Sequence, residues 1–434
     1  MRTSLPPHLL SINNFHYRRA GSDALFMDHD RLFQSRGWST AVFSMRHADN
    51  EPSAWEPYFV EELELARSYS IADRLRLAGK VLYSFEARAQ LQRLLAQFSP
   101  DIAHVHSVYH HISPAIMPVL HARGIPIVLT AHDYKLACPA YKMFDGRNIC
   151  EECKGGKLTP LIRKRCIYGS AAISTLVAAE SALHRALASY DYVQRIVCPS
   201  LFMRRKFIEW GWPAEKLVHV RNFFDAALWQ PTFEPGDYFL YFGRLAPEKG
   251  IPTLLRAAAL ARVPLKVVGS GPMQSDLLQL AQSLELRVEF IPHSSTRQLS
   301  MLIGGARATV LPSEWYENAS LAILESMACG KPVIASSIGG NPEMVLPERN
   351  GWLFAARDVD ALAERLRTVA DMPDARLSAI GRQAREFVAA EFSSEQYFAA
   401  MSAVYSSVGV KQHGSAFEQR STELSAVTQG ADAY

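Results

Sequence analysis

Short, continuously apolar runs alternate with longer stretches in which apolar residues recur every three or four positions. In the first half the runs are HLLSINNF, STAVFSM, DIAHVHS, IPIVLTAHD, RIVCPS and LVHVRN; in the second they are YFLYFGRL, LKVVGSGPM, ATVL and VIASS. Runs apolar on both faces and ended by Gly, Pro or Ser read as strands of parallel sheets covered by helices. Between them the helical period marks Gly21 through Asp28 to Ser35, ISPAIMPVLHARG, the stretch holding Leu321, Leu324 and Met327, and ALAERLRTVA. This strand-then-helix rhythm predicts an α/β protein of two doubly wound sheets. An aromatic and proline-rich linker, Phe223 to Gly236, separates them. The expected organisation is a domain over 1–222 with a cysteine-rich insert at about 134–170, and a domain over 237–392. An amphipathic helix over 393–410 is expected to return to the first domain, followed by a polar, disordered tail over 411–434.

Ligands of open α/β sheets sit beyond the carboxyl ends of the strands, so the residues there carry the chemistry. YFLYF exits into Gly243-Arg244 and then Lys249-Gly250, which supplies two cations and glycines that let backbone approach a ligand. ATVL exits through Pro312 into a polar loop with Glu317, and Glu325 follows about two turns into the next helix. Eight helical residues span about 12 Å, the scale from a nucleotide ribose to a sugar beyond its diphosphate. The free N–H groups of the helix start between them would seat phosphate. The plainer alternative makes Glu317 a helix cap and Glu325 a solvated glutamate.

The set resembles the nucleotide-sugar glycosyltransferases of family 4. The resemblance rests on G-R-L-x-x-E-K-G at Gly243 to Gly250, V-G-x-G-P at Val268 to Pro272, and E-x7-E at Glu317 and Glu325. A-C-G-K-P-V-I-A-S at Ala328 to Ser336 and G-G-x-P-E at Gly339 to Glu343 complete it. It extends through RGWSTAVFS, DIAHVHS and IPIVLTAHDYKLACP, covering most of residues 10 to 405. It implies the GT-B fold, two Rossmann-like domains facing a central cleft, and sugar transfer from a nucleoside diphosphate sugar with retention of configuration.

By the same resemblance His132 approaches the donor sugar and Asp133 lies near the acceptor. Arg244 and Lys249 stabilise the leaving diphosphate, Glu317 holds sugar hydroxyls with its catalytic role open, and Glu325 holds the ribose diol. Gly21 and Gly243 allow close approach, and Asn318, Ala319 and Ser320 read sugar hydroxyls. Two departures stand out: Ala20-Gly21-Ser22 replaces the family's Gly-Gly pair, and Asn318-Ala319-Ser320 replaces a Gly-Phe-Gly-like segment. Base and sugar specificity are expected from the loops 291–297 and 318–320. His104 and His106 alternate onto one strand face and read as core.

With two cations at the leaving group, no cofactor is required for the chemistry. A metal-dependent GT-A alternative would need an Asp-x-Asp after a strand. Asp28-His29-Asp30 instead falls within a helical stretch, and Asp358-Val359-Asp360 precedes one. Four of the six cysteines, Cys138, Cys150, Cys153 and Cys166, cluster in the insert as C-x11-C-x2-C-x12-C, a pattern suited to structural zinc. Cys198 and Cys329 lie on apolar elements and read as core.

Length and composition are consistent with two domains: 434 residues, 48% hydrophobic. A formal charge of +3 from 46 basic and 43 acidic residues is too small to indicate nucleic acid as a partner. No run of about 20 apolar residues and no secretory pattern is present, so a cytoplasmic protein is expected. Arg163-Lys164-Arg165 before an apolar helical run suggests contact with the inner face of the plasma membrane and a lipid-linked acceptor; a glycan is the other acceptor class. The competing readings are an epimerase or phosphorylase on the same fold, or a thiolate-metal nucleic-acid or interaction module.

Overall fold

The computed structural model describes residues 6–63, 71–292 and 295–410. The first sheet contains β1 (His8–Ile12), β2 (Ser39–Phe43), β3 (Ile102–Val105), β4 (Ile127–Thr130), β5 (Arg195–Cys198) and β6 (Leu217–His219), in the order β2-β1-β3-β4-β5-β6. The second contains β7 (Phe239–Phe242), β8 (Leu265–Val268), β9 (Val288–Ile291), β10 (Ala308–Leu311), β11 (Val333–Ser336) and β12 (Gly351–Phe354), in the order β12-β11-β10-β7-β8-β9. In each, the chain starts near the middle, winds outward one way and then the other. The second sheet is parallel throughout, with Leu240 opposite Thr309 on one side and Lys266 on the other.

The continuous apolar runs follow from burial on both faces. Phe239 and Tyr241 point into a core with Leu254, Leu265, Val267, Val310 and Ile334. Leu240 and Phe242 point the other way, against Ile323, Leu324, Met327, Val333 and Ala335. Each such side chain contributes about 1.5–3 kcal/mol on leaving water. Where helices begin in the sequence, polar caps are in place: Ser200 accepts from Met203 N–H at the start of Leu201–Glu209, and Asp358 from Ala361 N–H at the start of Val359–Ala370.

Packing divides the chain into two compact units. One draws on the chain up to Thr130, on Leu183–Val197 and on the chain from Phe398; the other holds Ala131–Ala182 and Cys198–Tyr397. The sequence reading places everything up to residue 222 together, whereas the insert and the 198–222 segment fall in the unit that holds the second sheet, although β6 within that segment belongs to the first sheet. The reason lies in polar contacts of the insert within this unit: Lys206 Nζ is 2.9 Å from Glu151, and Arg357 donates to Asn148 Oδ1 at 2.6 Å.

In the first unit, the helix Gly21–Ser35 packs His29 against β3. His104 and His106 are fully buried. His104 Nδ1 lies 2.7 Å from Tyr405 Oη and 3.1 Å from His29 Nε2, and His104 Nε2 lies 2.7 Å from Thr130 Oγ1. Tyr405 belongs to the amphipathic helix Ser394–Ser406. The tail over 411–434 lies outside the described residues, as do positions 293 and 294 of the specificity loop expected at 291–297.

Candidate active site

Three strand exits of the second sheet converge on Glu317. After β7, Gly243 takes φ +141° and the chain turns through Arg244 into the short 3-10 turn Pro247–Lys249. Gly250 follows with φ +66°, and a Cβ there would lie 1.9 Å from Pro312 O, so the β7 and β10 exits can lie together only with glycine at this position. Lys249 Nζ then reaches Glu317 Oε1 at 2.6 Å. After β10, Ser313 Oγ donates to the same oxygen at 2.6 Å. After β11, Ser336 Oγ donates to Ser313 O at 2.7 Å and Gly340 N–H to Glu317 O at 2.7 Å. A Cβ on Gly339 would lie 2.2 Å from Glu317 O, and one on Gly340 1.9 Å from Asn318 O. The Gly-Gly of the G-G-x-P-E motif is therefore a seat for the Glu317 loop.

Glu317 is buried. Burial opposes its ionisation, but the Lys249 ammonium and the Ser313 hydroxyl outweigh that cost and hold the carboxyl below its ordinary value. Glu317 is thus a fixed carboxylate on a cation, not a helix cap. The helix begins only at Leu321, after an N-cap Ser320 whose side chain makes no capping bond. Glu325 accordingly sits little more than one turn into the helix, not two, because the Glu317 loop is tied to β7 and β11 and cannot wind.

Glu325 behaves in the opposite way. Among the described residues its carboxylate has no hydrogen-bond or ion partner, and burial alone pushes it up to about 7. Arg244 is paired with Glu248, whose carboxylate is buried while the guanidinium stays half exposed. Lys142 of the insert lies 3.5 Å from Glu248 as well. Burial raises Glu248, but its own backbone N–H and the charges of Lys142, Arg244 and Lys249 leave it below its ordinary value.

His132 and Asp133 follow β4. Burial lowers the His132 imidazole to about 4 and raises the Asp133 carboxyl to about 6, against the Lys135 N–H at 2.9 Å. Asn318 Nδ2 donates to Ala131 O at 3.3 Å, its Oδ1 accepts from Ser200 Oγ at 2.8 Å, and Tyr134 Oη lies 3.5 Å from Glu317 O. Arg244, Lys249, Gly243, Glu317, Asn318, Ala319, Ser320, Glu325, His132 and Asp133 all belong to the second unit, and Gly21 to the first. Gly21 opens the helix Gly21–Ser35 behind Ala20, whose side chain caps nothing.

Sequence reasoning passed over Ser313, Glu248, Tyr316 and the role of Glu343, which accepts from Leu201 and Phe202 N–H at 2.7 and 2.6 Å. Glu248 and Glu343 lie inside the quoted motifs, so the signal was present. Ser313 and Tyr316 act through contacts that no spacing reveals.

For metals, Asp28 pairs with Arg18 while Asp30 accepts from Ser11 Oγ at 2.8 Å, so the two carboxylates serve different partners. Asp358 is a cap. The six cysteines are free thiols, with Cys138 and Cys153 buried and Cys150 and Cys166 half-buried. Among the described residues the one group of three or more metal-ligand atoms within 4.8 Å is His29, His104 and His106. The basic triad of the insert is partly neutralised: Lys164 lies 2.9 Å from Asp145 and 2.6 Å from Glu152, and Arg163 lies 2.9 Å from Glu152.

Comparison with known proteins agrees with this layout. The family model described as Glycosyltransferase Family 4 matches residues 30–228, and that described as Glycosyl transferases group 1 matches 228–387. The chain belongs to glycosyltransferase family 4. A glycogen synthase of Mycobacterium tuberculosis is 33% identical over 202 residues, 44% of this chain and 48% of that protein. A D-inositol 3-phosphate glycosyltransferase of Mycobacterium avium is 35% identical over 42% of this chain and 43% of that protein. This family 4 chain thus spans less than half the length of these curated relatives in the matched segments. Among solved structures, sucrose-phosphate synthase of Thermosynechococcus elongatus superposes with TM-score 0.64 at 21% identity, covering 93% of this chain and 99% of that one. Anabaena HepE in complex with UDP also gives 0.64, at 18% identity over 92% and 100%. These likenesses show the GT-B fold.

Proposed function

We propose that this family 4 chain is a retaining glycosyltransferase, of the hexosyltransferase class, that moves a sugar from a nucleoside diphosphate sugar to a glycan or lipid-linked acceptor in polysaccharide or glycoconjugate assembly. The observation that carries the reading is the division of labour at the second sheet. Lys249 and Glu317 are locked together, Arg244 is held by Glu248 with its guanidinium half exposed, and Glu325 is a half-buried carboxylate without a partner among the described residues. A carboxylate in that state is completed by a ligand with two hydroxyls, which a ribose supplies. Charge that builds on the departing diphosphate would meet preorganised cations, which act only as the bond breaks.

Glu317 is already engaged by Lys249 and Ser313, so it is not poised as a nucleophile. Its remaining oxygen can accept from sugar hydroxyls, and Lys249 would be shared between Glu317 and the phosphate. His132, held neutral by burial near pH 7, can donate to or accept from the sugar without carrying charge. Asp133 would face the acceptor. With Arg244 and Lys249 at the leaving group, this reading requires no metal for the chemistry. Names of relatives support the substrate class: one is a GDP-mannose-dependent mannosyltransferase of Corynebacterium glutamicum, 34% identical over 163 residues.

Contact with the inner face of a membrane belongs to the same proposal. With Arg163 and Lys164 already paired to acids, it would rest on Arg165 and on Tyr168, which is 70% exposed. No helix of the described residues is long and apolar enough to cross a membrane.

The test is release of nucleoside diphosphate from a panel of UDP-, GDP- and ADP-sugars. One base is expected to support turnover, and Arg244→Ala to slow it about 100- to 1,000-fold with the fold intact. A product with inverted anomeric configuration, or full activity in Arg244→Ala, would contradict the mechanism.

A further inference from the structure

We propose that His29, His104, His106 and Tyr405 form a buried site for a zinc-type dication, which ties the helix Ser394–Ser406 to the first sheet. All four residues belong to the first unit. His104 lies on β3 and His106 just past its end, so the two imidazoles leave the same face and stack with ring centroids 4.3 Å apart. The helix Gly21–Ser35 brings His29 over that face, its ring 4.5 Å from His104 and 5.5 Å from His106. One ring nitrogen from each of the three lies within 4.8 Å of the other two. All three side chains are fully buried.

The tightest part of this cluster has the spacing of metal ligands. His29 Nε2, His104 Nδ1 and Tyr405 Oη form a triangle with edges of 3.1, 2.7 and 3.0 Å. Hydrogen bonds alone do not account for three such edges. Each edge would need its own proton, one from each atom, yet an imidazole nitrogen that carries a proton has no lone pair with which to accept. The edge between the two histidines would then have two donors and no acceptor. A cation removes the conflict, because all three atoms turn lone pairs toward one centre. Bonds of about 2.0–2.1 Å in tetrahedral geometry set ligand atoms about 3.3 Å apart, so the triangle opens by only a few tenths of an ångström on binding. His106 is drawn in to complete the fourth position.

The surroundings suit a closed site. His104 Nε2 is 2.7 Å from Thr130 Oγ1. Donating there, the ring turns its Nδ1 lone pair into the triangle, which is the outer hydrogen bond that orients a metal-bound histidine. Phe26 meets the His106 ring edge-on at 5.3 Å, and Phe33 and Trp38 lie 5.3 and 5.7 Å from Tyr405. With this apolar wall there is no open position for a substrate, so the role is structural. Imidazole nitrogens in tetrahedral array suit zinc. On binding, the ion exchanges its water ligands for three neutral imidazoles and the Tyr405 oxygen, whose proton passes to solvent.

Tyr405 lies 376 residues from His29 and 301 from His104 along the chain. The first unit is assembled from three separate stretches, and Tyr405 belongs to the last of them. Bonds through one ion fix that stretch to the first, and a clip closing so long a loop bears mainly on the unfolded chain.

Zinc content and ligation are read without turnover, and the inference does not rest on the glycosyltransferase reading. The full chain, produced with zinc and without a polyhistidine tag, should hold about one zinc. X-ray absorption at the zinc edge should show nitrogen and oxygen at about 2.0–2.1 Å, with imidazole scattering and no sulfur at about 2.3 Å. His29→Gln and His106→Gln should each lower zinc content about tenfold or more, while Cys150→Ser/Cys153→Ser keeps it. Stripping zinc from the native chain should lower its unfolding temperature by several degrees and speed amide exchange in Ser394–Ser406. Less than about a tenth of an equivalent in folded native protein, sulfur in the zinc shell, zinc retained by both histidine variants, or unchanged exchange in that helix would overturn the proposal. If the histidine variants do not fold, zinc content and ligation of the native chain decide by themselves.

Discussion

Lys249→Met lowers folding stability by about 3–5 kcal/mol at pH 7, and adding Glu317→Gln recovers most of the loss. The single substitution leaves the buried Glu317 carboxylate with the Ser313 hydroxyl but without its cation, 2.6 Å away in the native protein. The double variant removes the charge along with its partner. Denaturant titration of the four proteins of this cycle measures the coupling. The pH dependence fixes the sign: Glu317 is held below its ordinary 4.5, so its contribution is present above that value and lost as pH falls through the lower folded one. The native protein should therefore lose its advantage over Lys249→Met in acid. Equal stability of native protein and Lys249→Met at pH 7 would show that the pair carries no weight.

Glu325→Gln should act in the reverse direction and stabilise the ligand-free protein at pH 8 by about 2–3 kcal/mol. Burial raises this carboxyl from 4.5 to about 7, so its contribution is present below 4.5 and lost as pH rises through 7. Denaturation midpoints of the two proteins should coincide near pH 5 and separate by pH 8. Parallel curves from pH 5 to 8 would mean that Glu325 is solvated and available for no special task. The expected gain on removing it is the mark of a group kept for binding at a cost to folding.

Most of the architecture was legible from apolar runs, because strands buried on both faces leave no polar position to blur them. ATVL is such a case: its reading as Ala308–Leu311 coincides with β10. The helix ISPAIMPVLHARG was harder. Its serine and two prolines break it into a 3-10 turn Pro114–Ile116 and the short helix Met117–Ala122. β9 and β12 lie at the sheet edges and were not singled out; in Val288–Ile291 the exposed Glu289 interrupts the apolar pattern.

At the candidate site, the charged residues could be found because their strand exits are marked by glycine. Their pairing could not. That Lys249 belongs to Glu317, that Arg244 belongs to Glu248, and that Gly339 and Gly340 support the Glu317 backbone depend on three loops meeting. The expected position of Glu325 was displaced for the same reason, since a loop fixed from both sides delays the helix start to Leu321.

Binding of nucleoside diphosphates tests the central claim most directly. UDP, GDP and ADP are titrated into the native protein, Arg244→Ala and Glu325→Ala, and thermal unfolding is followed. One nucleotide, at about a hundred times its dissociation constant, should stabilise the native protein by about 2.7 kcal/mol. Both variants should lose that response while remaining folded. A well-folded native protein that responds to none of the three, or variants that respond as fully as the native chain, would contradict a donor site built from Arg244, Lys249, Glu317 and Glu325.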